Sequence, residues 1–115
     1  MKNMENSEVE KSKAHIIVEI IEYVADSIVI KTILKKTTGN ISAVSFDTGE
    51  VLPEKIIPFD TFIQIIEGKA EIVIDGISSF LNTGQSIIIP AHALSIVRAN
   101  ERFKMISTII KSGYE

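Results

Sequence analysis

The sequence predicts an all-β protein, and three observations support this prediction. Isoleucine supplies 23 of the 115 residues, and its branched Cβ packs well on a pleated sheet but loses rotamer freedom in a helix. Turn signals rich in glycine, asparagine and proline recur at short intervals from Thr38 to Glu101. The runs between them are about five to ten residues long, which is typical of a β-sandwich or a β-barrel.

Composition and charge narrow the class of protein. A chain of 115 residues and 12.7 kDa is expected to form one compact domain. Its 15 acids outnumber its 12 bases and no basic block is present, so nucleic-acid binding is not expected. The absence of cysteine excludes disulfides and cysteine metal sites. No long apolar stretch is present, so we expect a soluble, cytoplasmic protein without membrane contact.

The domain organisation follows from where burial is possible. Residues 1–13 offer almost nothing to a core and are expected to form a flexible N-terminal arm. Residues 14–115 are expected to form the β-barrel domain, with no linker dividing them. The stretch Ile16–Ala25 fits both a strand and a helical turn, and the sequence leaves these two possibilities open.

Strands are predicted between the turn signals. Alternation is clearest in Ala70–Asp75, where Ala70, Ile72 and Ile74 share one face. An irregular strand, Val51–Ile57, is interrupted by Pro53. The regular predicted strands are Ile28–Lys35, Ile41–Phe46, Phe62–Ile66, Ala70–Asp75, Ser86–Ile89, Leu94–Val97 and Phe103–Ile110.

A first glycine-framed motif runs from Gly49 to Gly68. Five residues separate Gly49 from Lys55, and Ile57 stands two positions later. Three residues separate Ile57 from Thr61, and six separate Thr61 from Gly68. This spacing resembles the first motif of the cupin family, which has His, His and Glu where this chain has Lys55, Ile57 and Thr61.

A second motif begins at Gly84. Five residues separate Gly84 from Pro90, and His92, Ser95 and Ala99 follow at intervals of two, three and four positions. The pattern resembles the second cupin motif, which has Gly, His and Asn at the positions of His92, Ser95 and Ala99. Residues 49–99 carry the resemblance. It implies a cupin-type double-stranded β-helix, a jelly-roll barrel.

The resemblance also implies where a family metal would bind, and the residues at those positions do not suit one. An ammonium repels a cation, isoleucine has no lone pair, and isolated hydroxyls are weak donors. We therefore expect no metal and no cofactor. His15 is expected at the surface and His92 in a turn, because neither has a second ligand at metal-binding spacing. The four metal positions hold Lys55, Ile57, Thr61 and Ser95.

In the cupin register, a mostly apolar pocket that suits a small organic molecule is expected inside the barrel. Phe59 either overhangs its mouth or fills the core, and His92 is placed at its rim as a loop residue. Lys55 points to an anionic ligand group, although we expect its stem to follow the wall and its ammonium to reach rim water. The candidate pocket residues are Lys55, Ile57, Phe59, Thr61, Ile63, His92, Ser95 and Val97.

The outer face of the strand Phe62–Ile66 predicts a partner. Phe62, Gln64 and Ile66 face away from the interior, and two of them are large and apolar. A strand that is apolar on both faces needs cover beyond its own barrel. A symmetric homodimer would supply this cover, and a fold-back of the N-terminal segment is the alternative.

Three functions are open from the sequence. The favoured one is a non-catalytic module that binds or senses a small organic molecule, because the predicted inner face carries no His, Asp or Glu for acid–base catalysis. The second is a metal-independent epimerase or isomerase of the cupin type. The third is a structural homodimeric subunit whose barrel is filled by its own side chains.

Overall fold

The computed structural model describes residues 2–5 and 8–113, within which the chain forms nine strands and one turn of 3-10 helix. The helical turn spans Ile17–Glu19. In the described part of the chain, no helix has the length and apolarity to cross a bilayer. The strands are β1 (Lys2–Glu5), β2 (Ile28–Lys36), β3 (Gly39–Phe46), β4 (Val51–Ile56), β5 (Asp60–Ile74), β6 (Ile77–Asn82), β7 (Ser86–Ile89), β8 (Leu94–Arg98) and β9 (Phe103–Ile110).

The strands curl into a barrel of two sheets that share β5. Their order is β1-β2-β3-β9-β5-β8-β4, and β6 and β7 also pair with β5. The first part of β5 pairs antiparallel with β9 and β7, and its last part pairs antiparallel with β6 and β8. The prediction of an all-β jelly-roll barrel is thereby confirmed.

Strand β5 corrects one prediction. The sequence divides this stretch into Phe62–Ile66 and Ala70–Asp75 with a turn at Gly68, whereas the structure has one continuous strand of 15 residues. The register against β9 shifts between Ile65 and Glu67, and Gly68 takes a φ of 87°. The glycine therefore bends the strand from one sheet into the other without ending it.

The other predicted strands are confirmed with their ends moved by two residues at most. Strand β6 was not predicted, because Ser78, Ser79 and Asn82 leave it without an apolar pattern. It forms because Asp75 and Gly76, with φ of 48° and 82°, build the tight hairpin turn that returns the chain along β5.

Part of the N-terminal region forms a strand that the sequence analysis did not predict. Lys2–Glu5, inside the segment expected to be a flexible arm, pairs parallel with β2. This pairing satisfies backbone hydrogen-bonding groups along the edge of β2. Ile16–Ala25 resolves to the 3-10 turn followed by irregular chain. Beyond the turn, Ile20 and Ile21 pack on the outer face of the sheet.

Tyr23 and Lys104 fix the N-terminal segment to that outer face. The Tyr23 hydroxyl donates a 2.7 Å hydrogen bond to Glu67, and the Lys104 ammonium donates a 2.6 Å bond to the carbonyl of Val18. The cationic groups of Arg102 and Lys104 lie 4.5 and 4.9 Å from the centre of the Tyr23 ring. Burial, and next the Glu67 hydrogen bond, raise the pKa of Tyr23 well above its usual value.

The interior of the barrel is filled at one end. Phe46 and Phe103 stack with ring centres 4.5 Å apart, and both are fully buried. Ile65 and Ile72 pack in the same core. Because Phe46 and Phe103 lie opposite each other at one end of the β3–β9 pair, they close that end of the barrel. At the opposite end of this pair, Gly39 lies opposite Ile110 and Asn40 lies opposite Ile109, so this pair places no ring in the barrel there.

Candidate functional site

The open end of the barrel holds a cavity of about 370 Å³. It is lined by strands β2, β3, β4 and β9 and by Lys111 just beyond β9. Its apolar lining residues are Ile30, Val44, Leu52, Met105 and Ile109. Its polar lining residues are Thr32, Lys35, Asn40, Ser42, Lys55, Ser107 and Lys111. Apolar surface combined with polar groups that can orient a ligand is typical of small-molecule sites.

Alternation along β3 and β9 explains most of this lining. Every second residue of a strand faces the same side of a sheet. Val44 pairs with Met105 and Ser42 pairs with Ser107, so apolar residues lie next to the filled end and two hydroxyls lie above them. Lys111 continues the same alternation, and its backbone N–H donates a 2.8 Å hydrogen bond to the carbonyl of Thr38.

Lys35 faces the cavity because β2 contains an irregularity. Thr32 pairs with Ser42 on the inner face, but the register then shifts, and Lys35 pairs with Asn40. Ile33 packs on the outer face instead. A β-bulge of this kind adds one residue to a strand and reverses the side to which the following residues point.

Lys55 faces the cavity for the same reason. Leu52 pairs with Val97 and Lys55 pairs with Ser95, so three positions on β4 match two on β8. Pro53, which cannot donate a backbone hydrogen bond, lies in this irregularity. Without the extra residue, Leu52 and Lys55 would face opposite sides.

The sequence-predicted pocket residues fall into three groups in the structure. Lys55 lines the cavity. Ile57 and Phe59 are half-buried in the segment that joins β4 to β5, and they do not line the cavity. His92 is exposed outside the cavity with a φ of 70°, which confirms its left-handed turn conformation. The remaining candidates are buried. They are Thr61, Ile63, Ser95 and Val97.

Thr61 carries an unsatisfied hydroxyl. It is 4% exposed, and its Oγ1 has no hydrogen-bond partner among the described residues. Thr61 pairs with Ile109, which lines the cavity, so its side chain belongs to the inner face of the barrel. A buried hydroxyl without a partner is costly, and a bound polar atom or water in the interior would satisfy it.

The residues at the family metal positions do not fit a divalent cation. Lys55 and Ser95 are direct neighbours across β4 and β8, which puts an ammonium beside the weak hydroxyl donors. Among the described residues, no group of three or more His, Asp or Glu side chains could hold a metal ion. The chemistry of this donor set instead suits hydrogen-bond acceptors and anions.

Several cavity residues were missed by the sequence analysis. Lys35, Asn40, Ser42, Ser107 and Lys111 lie outside the two glycine-framed motifs. Alternation in β9 was the available signal for Ser107 and Lys111, because both fall on the face of Met105. No pattern in the sequence marks the bulge that turns Lys35 inward.

The outer face of the β5 sheet is partly covered. Ile20 and Ile21 pack with Val29, Ala43 and Ile106, so the N-terminal segment supplies some of the cover considered as the alternative to a dimer. Phe62 and Ile88, which are paired on β5 and β7, remain 37% and 59% exposed. An apolar strip therefore persists beside the covered region.

Comparison with known proteins defines the fold. No protein-family profile and no curated protein matches the sequence. A crystal structure of a conserved protein of unknown function from Streptococcus pyogenes is 25% identical, with a TM-score of 0.87 over 93% of this chain and 94% of that one. A cupin superfamily protein from Desulfitobacterium hafniense is 23% identical, with a TM-score of 0.84 over 90% and 95%.

A third similarity is to a cupin 2 conserved barrel domain protein from Leptotrichia buccalis. It is 28% identical, with a TM-score of 0.79 over 82% of this chain and 46% of that one. The similarities to the Desulfitobacterium and Leptotrichia proteins agree with the two glycine-framed motifs and with the closure of two sheets around β5. The chain therefore has the cupin fold and is a cupin-type β-barrel protein.

Proposed function

We propose that this protein is a metal-free, non-catalytic module that binds or senses a small organic molecule in the open end of its barrel. The observation that carries the proposal is the cavity of about 370 Å³, which has an apolar wall and polar groups at its opening. The hydroxyl and amide groups of Asn40, Ser42 and Ser107 in its lining support it, because they can orient a bound molecule by hydrogen bonds.

The lining argues against acid–base catalysis. Its titratable side chains among the described residues are the three lysines, with no carboxylate and no imidazole. An epimerase or isomerase needs an acid and a base within hydrogen-bond reach of the reacting atoms. Tyr23, the tyrosine within residues 8–113, lies on the outer face beside Glu67 and does not line the cavity.

The open cavity also argues against a purely structural barrel. Phe46 and Phe103 fill the barrel at one end, but the side chains at the other end leave space. A subunit whose barrel only supports its fold would gain stability by filling that space with apolar side chains. Retaining hydroxyl and amide groups there favours a binding role.

The proposal predicts that filling the cavity abolishes ligand binding without unfolding the protein. We expect a small-fragment library to give binders whose chemical-shift changes concentrate at Ser42, Val44 and Met105. Ser107→Phe should remove this binding, with Ser107→Leu as the milder variant. Thr48→Phe adds the same ring at an exposed turn near the filled end and is the matched control. Fragment-induced chemical-shift changes that persist in both Ser107 variants would contradict the proposal.

We further propose that two copies of the chain associate through the strip that contains Phe62 and Ile88. Its two central residues lie opposite each other on β5 and β7, next to the cluster that covers the rest of the sheet. A second copy related by a two-fold axis would bury the same strip on both partners.

The dimer proposal predicts a solution mass of twice 12.7 kDa by light scattering. Ile88→Lys should shift the protein to monomer, because it places charges in the centre of the apolar contact. Ile77→Lys, at a position 72% exposed on β6, is the control and should leave the mass unchanged. A monomeric wild-type chain, or equal effects of both substitutions, would refute the dimer.

A further inference from the structure

Three lysines stand at the opening of the cavity. We propose that the ligand is an amphipathic organic anion, whose anionic head lies among Lys35, Lys55 and Lys111 and whose apolar body lies against the wall beneath them. The proposal rests on the proposed binding function and names the chemical class of the ligand. It is carried by the charge of the opening, by the two irregular strands and by the order of side chains with depth.

The opening of the cavity is positively charged, whereas the whole chain has a net negative charge. The protein has 15 acidic and 12 basic residues, yet the cavity is lined by three lysines and by no acidic residue of the described chain. The Glu8 carboxylate accepts a 2.7 Å hydrogen bond from the backbone N–H of Lys35 and is not among the lining residues of the cavity. Clefts with charge of one sign and apolar walls concentrate the field and attract ligands of the opposite sign.

Two of these lysines face the cavity only because their strands are irregular. Without the shift between Thr32 and Leu34, alternation would turn Lys35 to the outer face. Without the shift between Leu52 and Lys55, the same would hold for Lys55. Bulges often lie beside functional sites, where they re-aim a side chain. Two separate bulges, one on β2 and one on β4, therefore each turn a lysine toward the same cavity.

The order of side chains with depth matches a molecule with two different ends. Along β3 the inner face changes from Asn40 at the opening to Ser42, then to Val44, and ends at Phe46. The three lysines are exposed, so desolvation does not oppose their placement at the opening. Asn40, which pairs with Lys35, supplies a neutral donor at the opening, and Ser42 supplies one below it. An anionic head would meet the ammonium groups at the opening, and an apolar body would lie against Val44 and Met105 in the interior.

Isocaproate and isocaproamide test this inference, because they share one apolar body and differ in the charge of the head. The full chain would be titrated with each probe, and the backbone amide shifts of Ser42, Val44 and Ser107 followed by NMR. We expect isocaproate to bind at least about tenfold more tightly, from three partly exposed charge contacts. Added sodium chloride should weaken isocaproate binding and leave isocaproamide binding unchanged.

Substitution of the lysines locates the charge contact. Lys35→Gln, Lys55→Gln and Lys111→Gln should each weaken isocaproate binding by about two- to fivefold, and none should change isocaproamide binding. Lys69→Gln makes the same change of charge at an exposed site beside Gly68, which pairs with Phe103 at the filled end. This control should bind both probes as the wild type does.

The outcomes separate this inference from the proposed function. Equal affinities for the two probes, with shifts at the cavity, would overturn the anionic ligand and leave a binding role standing. A preference for isocaproate that is undiminished in all three lysine variants would also overturn it. Absence of cavity shifts with both probes would contradict the anionic ligand class and the proposed binding role together.

Discussion

Replacement of Phe103 by alanine is expected to destabilise the protein by about 3–5 kcal/mol, the largest effect of any single substitution considered. Phe103 is fully buried and stacks on Phe46 with ring centres 4.5 Å apart. The substitution removes a whole ring from the filled end of the barrel and leaves a cavity that the surrounding sheet cannot close. Stacking adds to this loss, since an aromatic pair contributes about 0.5–1.5 kcal/mol beyond its buried area.

Urea unfolding at fixed protein concentration measures this effect, because association would make the apparent stability depend on concentration. Phe80→Ala is the matched control. Phe80 is 56% exposed, so the same change of residue should cost no more than about 1 kcal/mol there. Similar losses for the two variants would show that the Phe46–Phe103 stack is not the centre of the core.

Replacement of Gly68 by alanine is expected to cost at least about 2–3 kcal/mol, for two separate reasons. The φ of 87° at Gly68 is strained for any residue with a Cβ. A Cβ built there would also lie 2.5 Å from the backbone carbonyl oxygen of Arg102. Because that oxygen belongs to the backbone, the two strands would have to move apart at the point where β5 passes between the sheets.

Gly84→Ala separates strain from collision. Gly84 has a φ of 89°, but a Cβ there would meet no atom within 4 Å. Its substitution should cost only the conformational strain, about 1–2 kcal/mol. The difference in melting temperature between the two variants therefore measures the cost of the close contact at Gly68. Equal melting temperatures for Gly68→Ala and Gly84→Ala would rule out the tight contact with Arg102.

Much of the fold could be predicted from the sequence because turn chemistry is local. Gly49, Gly68, Gly84 and Pro90 occur at the spacings of the cupin motifs, and the three glycines all take positive φ in the structure. Gly68 nevertheless bends a strand where the sequence predicted a turn. A glycine indicates that positive φ angles are accessible at its position. Whether the chain continues in a sheet there depends on the neighbouring strands with which it pairs.

The candidate site was less accessible to prediction. The motif positions led to Lys55, Thr61 and Ser95, and period-two alternation added Ile63 to the face of Thr61. Lys35 could not be found in this way, because alternation without the β2 irregularity assigns it to the outer face. A bulge depends on pairing between separate strands, so the local pattern of apolar residues does not predict its position.

The sharing of β5 between both sheets has a further consequence for how the barrel can come apart. Its 15 residues pair with β6, β7, β8 and β9, so one segment holds a backbone ladder on each side of the bend. If β5 leaves its place, it breaks hydrogen bonds in both sheets, so neither sheet can unfold as an independent unit. The two sheets should therefore unfold together in one cooperative transition.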